Sequence, residues 1–375
     1  MIDLRQDEAR TYRRAARRRG RFATGASLTV LFLAALTAGW IDDRLPGPAP
    51  LRAALLVLVA GVVHEAVQLP LGLAGHRAAA AAGLSVQSVS GWFADRAKAW
   101  LIAAVLGVPA VALLVAGQRQ FSDGWPYLAW GASLVLSLVL SVVAPVLLLP
   151  LFLRSEPLAP GALRTMAEEL VARSGLRVCD VRLLLLSEKT TSANAAVVGL
   201  GPTRRILLGD TLTGDENDDG RLAEARAVLA HELAHHAHGD MWRGLALEAS
   251  SSLLAWPIAA ALLDRLPTAL AHGGAGDPAA LPAFALVFGI VSLPLGLVTA
   301  WHSRRRERAA DAYAYRLADG ESFARAMERL VASNLGELVP PRLSQIRSSH
   351  PPSGERITAA RAAVSPASAD RANDL

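Results

Sequence analysis

Four stretches of this chain contain no Asp, Glu, Lys or Arg: residues 23–41, 99–117, 125–153 and 278–301. Each is close to or beyond the roughly 20 apolar residues that cross a bilayer as a helix. A water-exposed domain cannot accommodate four such runs, so the chain reads as a polytopic membrane protein. Two weaker runs extend the count. Residues 51–72 are apolar apart from Arg52, His64 and Glu65, and residues 245–263 carry Glu248. Six spans are expected. The composition agrees, because 52% of residues are hydrophobic and only 19% charged, too apolar for an ordinary soluble domain.

The charges give an orientation. The 22 residues before the first run hold eight arginines, at positions 5, 10, 13, 14, 17, 18, 19 and 21. By the positive-inside rule this end is cytoplasmic. No clear small-residue cleavage site follows the run, so it is read as a span and not as a removed signal. Six spans then return both 154–244 and 302–375 to the cytoplasm. The loops left outside, 42–50, 118–124 and 264–277, carry Arg44, Arg119 and Arg265 and no lysine. "HSRRRER" after the last run is a basic flank. Topology accounts for the arginines; a nucleic-acid arm would have charge alone in its favour, and no nucleic-acid partner is expected. The single Cys179 excludes an internal disulfide and any cysteine-based metal site. It is expected in a core, as a lone cysteine usually is.

The insert 154–244 has mixed periodicity. "MAEELVARSGL" (166–176) predicts an amphipathic helix stopping near Gly175. Strands are predicted over 181–188 and 204–210, with a third over 194–201 between them. The acidic turn 214–220 suits the positive end of the helix that follows. That helix covers 221–240 and ends at Gly239, with Leu222, Val228, Leu229 and Leu233 as its apolar anchors.

On this helix lies "HELAH", His231 to His235. Residues at i and i+4 share a helix face, so both imidazoles reach one ion at the usual zinc–nitrogen distance of about 2.0–2.1 Å. Glu232 projects beside them, where it can take a proton from metal-activated water. A near-match, "HEAVQ" at 64–68, has Gln68 in place of the second histidine and is read as a packing or hydrogen-bonding feature of its span. A catalytic zinc needs a third protein ligand and an open position. His236 turns about 100° away from His235 on a helix, and His238 lies a turn too far. Both are read as surface residues, and Asp240 as a helix-end or loop contact. The better candidate is distant. "RRRERAADAYAYRLADG" (304–320) is helical in pattern and holds Glu307 and Asp311 at i and i+4. The last two spans form a hairpin that returns Glu307 to the side of His231. Asp311 can then orient a ligand histidine.

With HExxH and a downstream ExxxD together, the chain resembles the integral-membrane zinc metallopeptidases that include the CAAX prenyl proteases and the bacterial HtpX-like proteases. "SANAAVVGLGPTRRILLGDTL" (192–212) is similar to their segment before the zinc helix, which implies that Asn194 and Ala195 line the substrate cleft on an edge strand. "PLFLRSEPL" (150–158) resembles their membrane junction. "SSHPPSGERI" (348–357) resembles their Ser-His-Pro-Pro stretch, which implies that His350 and Arg356 lie near the active site. The prenyl proteases have seven spans and the HtpX-like ones usually four; six are counted here.

The expected fold is mainly α: a polytopic membrane helix bundle with a cytoplasmic gluzincin-like zinc peptidase region that contains a small β-sheet. Its expected parts are a basic N-terminus (1–22), four spans (23–153), a catalytic region with substrate-edge strand and zinc helix (154–244), a transmembrane hairpin (245–301), a third-ligand helix with the C-terminal catalytic part (302–360), and a flexible tail (361–375). One zinc on His231, His235 and Glu307 is expected, with Glu232 as general base and His350 or Arg356 stabilising the oxyanion. The expected partners are the bilayer and a membrane-associated or lipidated peptide or protein, at a bacterial plasma membrane. The competing reading is a non-enzymatic membrane scaffold or transporter with a structural zinc. Glu232 argues against it, because a structural site needs no base.

Overall fold

The computed structural model describes residues 4–199, 201–213 and 218–363. Four long helices come first: α1 (Gln6–Asp42), α2 (Ala49–Ala81), α3 (Val89–Gln120) and α4 (Trp125–Val143). Pro145 and Pro150 follow α4, and the chain relaxes there into one π turn and one 3-10 turn before leaving the bundle. After the insert come α8 (Asp240–Leu263), the short α9 (Thr268–Ala271) and α10 (Leu281–Leu317). Among the described residues six helical segments are long and apolar enough to cross a membrane, the number expected.

The span interfaces are made by small side chains. Ala35, Ala38, Ala53, Ala259 and Ala283 are buried where helices meet, since apolar lipid leaves close backbone approach as the main source of association. Trp125 and Phe284 close one of these contacts edge to face, 5.5 Å apart. The outward positions stay greasy: Leu101, Val105, Leu113, Val135, Ile290 and Leu293 are exposed, as a lipid-facing surface requires. The His64–Gln68 near-motif is a helix–helix contact. His64 Nε2 and Gln68 Nε2 meet Ser27 Oγ at 3.0 and 2.7 Å, and Glu65 pairs with Arg96 of α3.

The insert builds a four-stranded sheet in the order β1-β2-β4-β3: β1 (Ser155–Pro157), β2 (Asp180–Leu184), β3 (Ala195–Val198) and β4 (Arg205–Gly209). β2 and β4 run parallel, and the two outer strands are antiparallel to them. Strand β1 was not expected. The strand expected over 181–188 stops at Leu184, because a 3-10 turn (Leu186–Glu188) follows and the carboxylate of Asp210 accepts from Ser187 N at 3.0 Å. The helix α5 (Ala162–Ser174) ends where Gly175 adopts φ +68°, a conformation that favours glycine. After α6 (Asp210–Thr213), helix α7 (Asp219–Ala237) packs on the sheet. Asp218 caps α7 by accepting from the backbone N of Gly220 and Arg221 at 2.9 and 3.2 Å. The expected helix over 221–240 is shorter: Gly239 takes φ +67° and reverses the chain, so Asp240 opens α8 instead. Residues 214–217 of the acidic turn lie outside the described residues.

Leu170, Ile206, Leu208, Leu229, Leu233 and Phe323 form the buried centre between the sheet, α5, α7 and α11 (Gly320–Ser333). Two further helices, α12 (Arg342–Arg347) and α13 (Ser353–Ala362), complete this layer. The tail expected over 361–375 begins there, and residues 364–375 lie outside the described residues. Cys179 corrects one expectation. It is exposed, at the start of the sheet, where its backbone N donates to Arg204 O and the chain has not yet entered the buried part of β2.

Candidate metal centre

His231 and His235 stand one turn apart on α7, and α10 carries Glu307 against them. His231 Nε2 lies 3.3 Å from His235 Nε2 and 3.5 Å from Glu307 Oε2, and His235 Nε2 lies 3.4 Å from Glu307 Oε1. A tetrahedral ion with bonds of about 2.1 Å requires ligand–ligand edges of about 3.4 Å. The imidazole pair has that spacing, and each imidazole faces one oxygen of the Glu307 carboxylate at a similar distance, so the three residues can share one small cation. Glu307 is 5% exposed, yet its Oε2 has no hydrogen-bond partner. A buried carboxylate oxygen without a donor is costly and is what a missing cation explains. The donor set, two imidazoles and one carboxylate, suits a catalytic ion with an open position.

The outward nitrogens are both taken. His231 Nδ1 lies 2.9 Å from Asp311 Oδ1, and His235 Nδ1 lies 2.8 Å from Asp240 Oδ2. A carboxylate at Nδ1 holds the hydrogen there and leaves the Nε2 lone pair free for a metal. Asp311 is held in turn by Arg356, whose Nη2 and Nε donate to it at 2.6 and 2.8 Å. Burial pulls the His231 imidazole down, but the facing carboxylates of Asp311 and Glu307 outweigh this and lift it to about 9. The pocket thus favours positive charge. Phe323 underlies both His231 and Arg356, with ring and guanidinium centres 6.1 and 5.5 Å from its own.

Glu232 is partly buried, and burial pushes its carboxyl above the usual range while both neighbouring imidazoles oppose the shift. His350 reaches the same cleft, its Nε2 3.4 Å from Glu307 Oε1 and its ring still largely exposed. Arg356 does not share that position. It is 9% exposed and points its donors into Asp311, so the expected alternative of Arg356 as an oxyanion donor meets a side chain already committed. Asn194 is exposed and Ala195 buried at the start of β3, the sheet's edge.

Two histidines expected on the surface are not free. His236 is half-buried, with Nε2 2.8 Å from Val197 O and Nδ1 accepting from Arg204 Nε at 3.1 Å. His238 packs edge-on against Tyr313, 5.5 Å away. Asp240, expected as a helix-end or loop contact, is the first residue of α8, and it is also buried with its carboxylate on His235 Nδ1. The signal was present in "HGD": a glycine that reverses the chain returns the next residue toward the helix it just left. Phe323 carried no sequence signal beyond its hydrophobicity.

A multi-pass bundle with an HExxH helix and a glutamate supplied by a later span defines a membrane-embedded metallopeptidase. The chain belongs to peptidase family M48. The pattern of that family matches residues 157–364, and that of the CAAX prenyl protease N-terminal region, described as five membrane helices, matches residues 7–154. The chain is 29% identical over 324 residues to the uncharacterized metalloprotease YhfN of Bacillus subtilis (strain 168), covering 85% of this chain and 75% of that protein. It is 30% identical over 292 residues to a CAAX prenyl protease 1 homolog of Arabidopsis thaliana, covering 74% of this chain and 65% of that one. The crystal structure of S. mikatae Ste24p shares the fold, with a TM-score of 0.79 over 96% of this chain and 89% of that chain at 22% identity. A scaffold or transporter is not favoured by these relationships.

Proposed function

We propose that the protein is a zinc-dependent endopeptidase of the membrane, open to the cytoplasm of a bacterium, acting on membrane-associated or lipidated polypeptides. One observation carries the chemistry: the His231 and His235 Nε2 atoms lie 3.3 Å apart, and each faces one oxygen of the buried Glu307 carboxylate at 3.5 and 3.4 Å, so that one ligand atom from each residue falls within 4.8 Å of the others. His231, His235 and Glu307 would hold the ion. When bound, it supplies an acidified water and polarises the scissile carbonyl.

The chain's own residues do the rest. Glu232 accepts the proton of the attacking water and returns it to the leaving amine. Asp311 and Asp240 keep both imidazoles in the ligating tautomer. Arg356 holds Asp311 and so acts through it. His350, exposed beside Glu307, is the donor available to the developing oxyanion. The free edge of β3 at Ala195 offers an extended substrate a strand to pair with, and Asn194 flanks it. Backbone pairing reads little side-chain identity, which suits a broad set of substrates. The cytoplasmic orientation is supported by the arginine-rich start of α1, and the boundaries 154–244 and 302–360 for the catalytic parts by the ligands they contribute.

The test uses Glu232→Gln and Glu307→Ala in detergent-solubilised full-length protein. The first is expected to keep its metal and lose about 10²–10⁴-fold in kcat; the second to lose metal and activity together. An active Glu232→Gln protein overturns the mechanism, and full metal content in Glu307→Ala overturns the third ligand.

A further inference from the structure

Five of the arginines at the start of α1 fall into two sets. Arg13 donates to the carbonyls of Leu335 and Asn334 at 2.9 and 2.8 Å, and Arg17 pairs with Glu337 at 2.6 and 3.0 Å. These two bolt the first helix to the loop that leads into α12. Arg14, Arg18 and Arg21, at i, i+4 and i+7, share another face of the same helix. Arg347 at the end of α12 completes a groove of about 980 Å³ with them, lined also by Leu343 and by the Glu337-paired Arg17. None of Arg14, Arg18, Arg21 and Arg347 has a carboxylate partner among the described residues.

The depth of this groove is set by the sequence. Arg21 stands two residues before the charge-free run 23–41, at the level where lipid phosphates lie. Apolar side chains accompany the charges: Leu343 lines the groove and is 69% exposed, Phe22 packs under Arg18 and is 60% exposed, and Val339 and Ile346, within two residues of lining positions, are 74% and 50% exposed. A soluble polyanion would use the charges and gain nothing from these side chains. A lipid uses both, since apolar groups beside a basic cluster bury into the headgroup–acyl boundary. The guanidinium fork also matches phosphate oxygens bidentately, where an ammonium would not.

We propose that the groove between the start of α1 and α12 binds the phosphate headgroup of an anionic glycerophospholipid, from the leaflet on the metal-site side. The site has a route to the catalytic cleft. Arg304 Nη1 donates to the carbonyls of Ile346 and Ser348 at 2.9 and 2.7 Å, and His350 follows two residues later. A lipid that holds α12 therefore steadies the loop that presents His350. This coupling rests on the role proposed for His350; the lipid site does not.

Binding is read on full-length Glu232→Gln protein in nanodiscs, so the outcome is independent of proteolysis. Discs of phosphatidylcholine with a minor fraction of phosphatidylglycerol are used, and the phosphatidylglycerol retained by the protein is measured. Each arginine near an anionic surface contributes about fivefold, so R14Q/R18Q/R347Q should lose about a hundredfold. The matching lysine variant should retain an intermediate amount, because it keeps the charge and loses the fork. R347Q alone, outside the first helix, should lose about fivefold and serves if the triple variant does not assemble. Unchanged retention in the glutamine variants overturns the proposal. So does full displacement of the lipid by inorganic phosphate, which marks a general anion site, or by an oligonucleotide, which marks a polyanion site. In the active protein, phosphatidylglycerol should raise kcat, and R14Q/R18Q/R347Q should abolish that gain while R347Q shifts it to about fivefold more lipid. Lipid binding with no such gain removes the coupling to His350 and leaves the lipid site standing.

Discussion

His236 Nε2 lies 2.8 Å from the carbonyl oxygen of Val197, so the metal-binding helix is tied directly to the edge of the sheet. Arg204 fixes the sense of this bond. Its Nε always carries hydrogen and faces His236 Nδ1 at 3.1 Å, which puts the ring hydrogen on Nε2 as the donor. Gly209 N donates to Asn194 O, and antiparallel pairing alternates, so Ala195 and Val197 turn their backbone groups away from β4. His236 therefore occupies one acceptor of the free edge. Among the described residues the Val197 N–H and both groups of Ala195 stay outside the β4 ladder, where the proposed substrate strand would pair.

From this tie we expect His236→Ala to weaken substrate pairing by about 2- to 10-fold in KM, the worth of one hydrogen bond, with kcat nearly unchanged. His236→Gln, whose amide can still donate to Val197, should recover most of the loss. Steady-state kinetics on a peptide series checks this; a fall in kcat at constant KM would place His236 on the metal chemistry instead. Burial also lowers the ring's own value. The neutral ring therefore contributes above the ordinary histidine value of about 6.5, and the contribution is lost as pH falls below it, because a charged imidazole cannot accept from Arg204.

Asp240 and Asp311 act on different histidines, and their removal should be felt as metal affinity. Asp240→Asn and Asp311→Asn are each expected to weaken zinc binding by about 10–100-fold. Competition with a chelator of known affinity measures both. Asp311→Asn should also release Arg356, whose two donors it accepts, so that variant is expected to lose thermal stability where Asp240→Asn loses little.

The general base sets the acid side of the pH profile. Glu232 must be ionised to accept a proton, and burial raises its carboxyl. Activity should thus fall with acidification at a pH above the ordinary glutamate value of about 4.3. A kcat/KM profile across the acid range checks the sign. A limb at or below that value removes Glu232 as the buried base.

Leu229 anchors the metal helix to the sheet and is fully buried. Leu229→Ala should cost about 2–5 kcal/mol. The apparent melting temperature of the purified protein is the readout, with metal content expected to survive below the transition, since both histidines remain on the same helix.

The parts of this fold that were legible in the sequence are those governed by local rules. A bilayer demands long apolar runs, so the six spans could be counted. HExxH is a helix-face pattern, so His231 and His235 were visible together. Glu307 and Asp311 were reachable because the topology of a hairpin restricts where the chain can return. The rest depended on contacts between distant segments. Asp240 reads as the end of one helix until Gly239 reverses the chain and makes it the start of the next. His236 looked free because nothing local announces that β3 runs beside it. Arg356 could be placed near the site but not aimed, since its direction is decided by Asp311 on another helix.

Helix α10 runs from Leu281 to Leu317 without a break, and Glu307 lies six residues past the charge-free run, roughly 9 Å along the axis. The third ligand is thus carried on a rod whose other end is seated in lipid. A water-soluble fragment would have to hold Glu307 against His231 through the α7–α10 contacts alone. The bilayer would in this sense act as a subunit of the proposed catalyst: it would seat the rod that carries Glu307, and a copy that failed to insert would have to position that ligand without it.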